Sequence, residues 1–289
     1  MKRLSRRDFI SLSTMGVVAA ALSSRIPAYS GTFESMKLLK MPLGFQVWTI
    51  KDNLIKDFSG TLKMMADIGY ESVEMCSPPG YESSGFGPLM KYKPREMKKI
   101  INDAGLEFLS THYGMAELRK NLSERIDFAA ESGQKQIILS SFGLPATATL
   151  SDWRKAADEL NVIGEKTKAS GIQTGFHNHH GEFEKIGDTI IYDALMEQFN
   201  PDFVKMQFQV AVISIGYKAA DYFKKYPGRF ISAHLADWSA ETKKSVPCGK
   251  GIVDWKEFFG ALKTGGVKNI FTEIDQSFFK DSAQYFKSL

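Results

Sequence analysis

The chain has 289 residues, 43% hydrophobic and 24% charged, with a formal net charge of +4 at pH 7, the composition of an ordinary soluble protein with one large core. The positive excess sits in residues 1–30, where Lys2, Arg3, Arg6, Arg7 and Arg25 oppose only Asp8. The remainder is close to neutral and lacks the basic footprint of a nucleic-acid binder, so a small, weakly charged substrate fits better.

Ser5-Arg6-Arg7-Asp8-Phe9-Ile10 precedes an apolar, small-residue run from Ser11 to Ser24. This resembles a twin-arginine export signal, with cleavage near Ala28 to Ser30 and a periplasmic mature protein without stable membrane insertion. An uncleaved anchor is the alternative, but an apolar stretch of about fifteen residues is short for a bilayer span. Residues 31–41 read as a linker and 42–289 as a single domain. Cys76 and Cys248 are too few for a disulfide framework; they can pair or stay free. No Cys/His zinc-finger spacing occurs.

Gly44 to Ile50 reads as a strand, Leu54 to Ile68 as a helix ended by Gly69, and Ser72 to Cys76 as a second strand. A Pro, Gly and Ser-rich loop, Ser77 to Lys93, leads to a helix over Pro94 to Ala104 and a strand over Leu106 to His112. Met115 to Ser132 is helical, Gln136 to Ser140 a strand, and Ser151 to Ser170 a helix capped by Ser151 and ended by Gly171. The fifth strand runs into Gly175-Phe176-His177-Asn178-His179-His180-Gly181-Glu182-Phe183. A helix over Asp188 to Phe199 follows, then strand Val204 to Gln209 with polar and apolar residues alternating. Helix Tyr217 to Lys225, strand Phe230 to His234, helix Asp254 to Lys263, strand Asn269 to Ile274 and a short helix near Ser282 to Lys287 complete the chain.

Eight strands alternating with helices match a parallel (β/α)8 TIM barrel in count and length. An open doubly wound sheet is the runner-up, and it lacks a GxGxxG or Walker loop after the first strand. All five histidines, His112, His177, His179, His180 and His234, fall at predicted strand ends. A single such histidine is commonly a hydrogen-bonded loop residue. In a barrel, however, the strand ends converge on one face, where active sites are built. Glu74, Gln209, Asp237 and Glu273 fall there too, and imidazoles with carboxylates can hold a divalent metal or move a proton. Trp48, Tyr113, Phe176 and Trp238 are aromatic candidates for stacking on a ligand ring.

His177-Asn178-His179 with Glu182-Phe183, Tyr226-Pro227-Gly228-Arg229-Phe230, His234-Leu235-Ala236-Asp237 and Gly249-Lys250-Gly251 before Asp254-Trp255 carry a resemblance. Across nearly all of 42–289 the chain resembles the xylose isomerase-like barrels, the sugar phosphate isomerase/epimerase family. The resemblance implies one divalent cation held at His177, Gln209, His234 and Glu273. Gln209 stands where the family has an aspartate and His177 where it has an anion, so manganese, cobalt or zinc is expected over magnesium. It further implies proton abstraction beside the carbonyl of a keto-sugar. Glu273 is the expected base, His179 and Glu182 are the reserve catalytic candidates, and Trp48, Glu74, His112 and Asp237 are the substrate contacts. Only Glu273 remains of the family's pair of metal-bound glutamates, so isomerisation, dehydration or hydration is expected over symmetrical epimerisation. A carbohydrate-binding barrel without catalysis is the alternative; the family's endonuclease branch needs a richer metal-ligand set. Oligomeric state is left open between monomer and homo-oligomer.

Overall fold

The computed structural model describes Leu39 and residues 41–289. The expected export signal, 1–30, lies outside the described residues, as does most of the expected linker, 31–41. The two linker residues that are described, Leu39 and Met41, pack against the core.

Eight parallel strands close into a barrel: β1 (Leu43–Gln46), β2 (Ser72–Cys76), β3 (Glu107–Gly114), β4 (Gln136–Ser141), β5 (Gln173–His177), β6 (Val204–Gln209), β7 (Phe230–Leu235) and β8 (Asn269–Thr272). Each pairs with its neighbour in sequence, and β8 pairs with β1 to complete the ring. The (β/α)8 expectation is met. Such strands are covered by helices outside and by one another inside, and β2 and β7 are accordingly buried from end to end.

The two-residue period then sorts side chains between layers. In β6, Phe208 packs outward against Tyr192, Tyr222 and Phe223, with ring centroids 5.9, 5.5 and 5.8 Å away. A buried phenylalanine of this kind contributes about 1.5–3 kcal/mol. Gln207 and Gln209, on the other face, point into the barrel.

The outer layer comprises α1 (Lys51–Lys56), α2 (Phe58–Ile68), α3 (Pro94–Asp103), α4 (Met115–Ser132), α5 (Leu150–Ala169), α6 (Ile191–Gln198), α7 (Ala219–Lys225), α8 (Trp255–Gly265) and α9 (Phe279–Ser288). The expected helix Leu54 to Ile68 is divided at Asp57, whose extended backbone ends α1 and whose carboxylate caps α2 by accepting from Gly60 N at 2.9 Å. The cap of α5 is Thr149 rather than Ser151: Thr149 and Asp152 form a reciprocal capping box. The first strand stops at Gln46, since Val47 turns into the right-handed helical region and starts a short 3-10 turn.

Two small hairpins not anticipated from the sequence sit beyond the strand ends. One pairs Lys185–Ile186 with Thr189–Ile190, and the other pairs Asp237–Ser239 with Lys244–Val246. Gly187, at φ +64°, makes the tight turn of the first, so α6 begins at Ile191 rather than Asp188. Cys76 and Cys248 are both buried and unpaired. Among the described residues, no helix is long and apolar enough to cross a membrane.

Candidate active site

Strand alternation builds the site in two tiers inside the barrel. In the lower tier, Glu74 from β2 is wholly buried and its Oε2 accepts from Ser110 Oγ of β3 at 2.5 Å and from Gln207 Nε2 of β6 at 2.9 Å. The Gln207 amide nitrogen also donates to Ser232 Oγ of β7 at 2.9 Å. Two residues further along each strand comes the upper tier, with His112 above Ser110, Gln209 above Gln207 and His234 above Ser232. His177 ends β5, and Glu273 follows β8 directly.

The tiers are joined through Glu74. Its Oε1 lies 2.5 Å from His234 Nε2 and 2.9 Å from His112 Nε2, and His112 Nε2 also lies 2.7 Å from Gln207 Oε1. His234 Nδ1 is 3.0 Å from Glu273 Oε2. Both ring nitrogens of His234 therefore face carboxylates, an arrangement that only the imidazolium satisfies with two donors. Burial pulls the His234 pKa down, but the charges of Glu74 and Glu273 and the bonds to them outweigh it and push it up to about 9. Burial would raise both carboxyls. The histidine charges beside them reverse that, holding Glu74 well below the usual range and lowering Glu273.

His177 is the contrasting imidazole. Burial and the neighbouring imidazoles His234 and His112 hold its pKa well below 6.5, so it is neutral, and its buried Nδ1 has no hydrogen-bond partner among the described residues. Its ring centroid lies 4.4 Å from that of His234 and 5.0 Å from that of His112. One nitrogen from each of His112, His177 and His234 falls within 4.8 Å of the others, close enough to share a metal ion. Glu74 behind His112 and His234 is the type of carboxylate that orients metal-bound imidazoles.

Gln46, Trp48, Cys76, Tyr81, His112, Ser140, Ser141, His177, His179 and Glu273 line a cavity of about 230 Å³ above this floor. Trp48 and Tyr81 meet edge to face at 5.9 Å on one wall, and Tyr81 Oη donates to Ser140 Oγ at 2.5 Å. Burial pushes the Tyr81 hydroxyl and the Cys76 thiol up, so both are neutral at pH 7.

Of the expected site residues, the structure brings together Trp48, His112, His177, His179 and Glu273 around the cavity, with His234 and Glu74 beneath it. Three roles change. Gln209 Nε2 donates to Glu273 Oε2 at 2.5 Å and its Oε1 accepts from Ala211 N at 3.2 Å, so the amide oxygen expected to bind metal is turned away and Gln209 instead holds the base. His112 lines the cavity and also stands among the imidazoles. Glu74 is too deep to touch substrate and acts on the two histidines. Asp237, also expected at the substrate, is 2% exposed and is wholly engaged elsewhere. It accepts from the backbone N–H of Trp238, Gly249, Gly251 and Val253 and from Trp255 Nε1, at 2.9 to 3.2 Å.

Glu182 is buried beside the cavity rather than in it, and one oxygen accepts from His179 N at 2.7 Å. His180 turns outward to Ser214. Of the expected stacking residues only Trp48 reaches the cavity. Phe176 packs outward on Phe142, centroids 4.7 Å apart, and Tyr113 is buried. Sequence reasoning missed Gln207, Ser110 and Tyr81. The alternation in β6 that exposed Gln209 carries Gln207 on the same face, whereas nothing in the Pro/Gly-rich loop marks Tyr81.

The fold and this constellation define a barrel enzyme site with an imidazole-rich floor. The xylose isomerase-like TIM barrel family matches residues 62–278, and the chain belongs to that family. It is 24% identical to an inosose dehydratase of Clostridium perfringens over 63% of this chain and 69% of that one, and 23% identical to the inosose dehydratase of Clostridium beijerinckii over 74% of each. Among solved structures, a sugar phosphate isomerase/epimerase from Parabacteroides distasonis superposes with a TM-score of 0.71 at 22% identity, covering 90% of this chain and 97% of that one. The 3-keto-D-glucoside 4-epimerase of E. coli gives a TM-score of 0.60 at 17% identity, covering 86% and 100%. The IOLI protein with a bound zinc atom gives 0.64 at 13%, covering 86% and 96%.

Proposed function

We propose that this chain is an enzyme of the isomerase or lyase class acting on carbohydrate, and that it abstracts a proton next to the carbonyl of a keto-sugar with the help of one divalent cation. The observation that carries this reading is the placement of Glu273. It is a carboxylate whose pKa is lowered by the His234 charge, on the wall of a cavity of about 230 Å³, beside three imidazoles whose nitrogens can share an ion.

The donor set fits a cation. Counting Glu74 and Glu273 against the His234 imidazolium leaves a net negative charge among these three groups, and the orphaned Nδ1 of neutral His177 is a buried donor without a partner among the described residues. A nitrogen-rich set of this kind favours zinc, cobalt or manganese over magnesium. The ion would take the place of one proton of His234 and so free a ring nitrogen for itself; held at His112, His177 and His234, with Glu273 alongside, it would polarise the substrate carbonyl as a Lewis acid and so acidify the adjacent C–H.

The chain's own residues do the rest. Glu273 takes the proton; Gln209 and His234 hold its Oε2 so that Oε1 is the atom that reaches substrate. His179 at the cavity mouth, held below its ordinary pKa by burial, is neutral and can donate to or accept from a leaving or arriving oxygen. Trp48 and Tyr81, packed edge to face in the cavity wall, suit the apolar face of a pyranose. A single positioned base with a different acid supports isomerisation, dehydration or hydration. Dehydration has the further support of the inosose dehydratase relatives. We propose export by the twin-arginine route on the strength of Arg6-Arg7 and the apolar run that follows. Changing both arginines to lysine is expected to retain the precursor in the cytoplasm, and unchanged export would rule that route out.

The function is tested by elemental analysis of the purified protein together with a screen of keto-sugars and inososes. About one equivalent of zinc, cobalt or manganese and turnover of at least one such substrate are expected. A protein that binds sugars without altering them would instead be the non-catalytic barrel.

A further inference from the structure

A second chamber, of about 620 Å³, opens beside the reacting cavity and shares two lining residues with it, Ser141 and His179. One wall is the loop after β4, with Leu144 and Pro145, backed by Trp153 of α5; the other is the Lys185–Ile190 hairpin and the turn before it.

We propose that this chamber is a binding subsite for a second sugar ring, so that the substrate is a keto-sugar unit carried on a disaccharide. The inference rests on the function proposed above and extends it to substrate size. Three observations carry it. The inner cavity, about 230 Å³, is smaller than the roughly 300–1,000 Å³ pockets that hold small organic ligands, whereas inner and outer chambers together are well within that range. The two spaces adjoin at Ser141 and His179, and His179 is the group proposed above to meet a departing or arriving oxygen, so a second ring attached there would be directed toward the outer chamber. The wall chemistry is that of a sugar platform. The half-buried indole of Trp153 is fixed edge to face on Phe142 at 6.0 Å, and Glu184 and Lys185 at the rim supply an acceptor and a donor for hydroxyls.

The test is calorimetric titration of the metal-loaded protein with 3-keto-D-glucose and with 3-ketocellobiose and 3-ketomaltose, alongside turnover of each. At least one two-ring sugar is expected to bind tenfold or more tightly than the one-ring sugar. Trp153→Ala, which removes the platform, and Ala146→Trp, which fills the chamber from its exposed lip, are each expected to abolish that gain with the one-ring affinity retained, their melting curves confirming the fold. Equal affinities for one and two rings, or a gain that survives both substitutions, overturns the subsite and leaves the proposed function standing. Failure of every keto-sugar to bind overturns both.

Discussion

Asp237 and Glu273 are acids that follow neighbouring strands, and both are expected from the sequence to work in the site, Asp237 as a substrate contact and Glu273 as the base. The structure separates them through their partners. Asp237 is surrounded by five N–H donors from its own and the following loop, which saturate a carboxylate and fix the chain from Gly249 to Trp255 around it. Gly251 is required there, because a Cβ at that position would stand 2.1 Å from Asp237 Oδ1. Among the described residues, Glu273 is bonded only on Oε2, by one imidazole and one amide, and the residue lines the cavity. An acid saturated by N–H donors is a structural tie. One left half-bonded at a cavity wall is available for chemistry.

That contrast can be broken by substitution. Glu273→Gln keeps the shape but removes the base, and turnover is expected to fall by about 10²–10⁴-fold; it also removes one counterion of His234, so the melting temperature should fall, but by less than in Glu74→Ala because the amide oxygen can still accept from the imidazole, as steady-state kinetics and thermal unfolding will show. Glu74→Ala should act on both properties. It leaves the His234 imidazolium buried with one counterion fewer, a change that commonly destabilises by about 3–5 kcal/mol, and it frees two imidazoles to turn, lowering metal affinity by about 10–100-fold in chelator competition. Asp237→Ala orphans several buried N–H groups, each costing about 1–3 kcal/mol when left unpaired. Its melting temperature should drop by many degrees, while kcat of the fraction that remains folded stays within a few-fold of wild type. A selective loss of kcat there would place Asp237 in the chemistry after all.

A pH series gives the smallest effect. A raised histidine pKa contributes stability that is fully present below the unfolded value of 6.5 and is lost as pH rises through the folded value of about 9. The depressed Glu74 contributes above its unfolded value near 4.5 and loses this only in strong acid. Metal-stripped protein should therefore be most stable between about pH 4.5 and 6.5 as far as this pair is concerned, and its melting temperature should decline by several degrees from pH 6.5 to 9. A variant with His234→Gln should lose that decline.

The barrel was legible because hydrophobic runs, glycine stops and strand–helix alternation are local signals, and the eight strands lie where they were expected to within a few residues. The convergence of His112, His177, His234 and Glu273 followed from the fold alone. Roles were less legible, since they depend on which partner reaches each atom across the barrel. Gln209 has the position of a ligand but an amide whose nitrogen meets Glu273, and Glu74 sits one tier too deep for substrate. The small hairpins escaped notice because two- and three-residue strands carry almost no periodicity. Thr149 and Ser151 are both cap-type residues two apart, and what distinguishes Thr149 is Asp152 three residues on, which completes the capping box.

The central claim, that Glu273 removes a proton beside a sugar carbonyl, is tested most directly by NMR of the keto-sugar substrate in D2O with metal-loaded wild-type and Glu273→Gln protein. The account predicts deuterium entering the carbon next to the carbonyl with the wild-type enzyme and exchange slowed at least a hundredfold in the variant. Exchange at the wild-type rate in Glu273→Gln would contradict it.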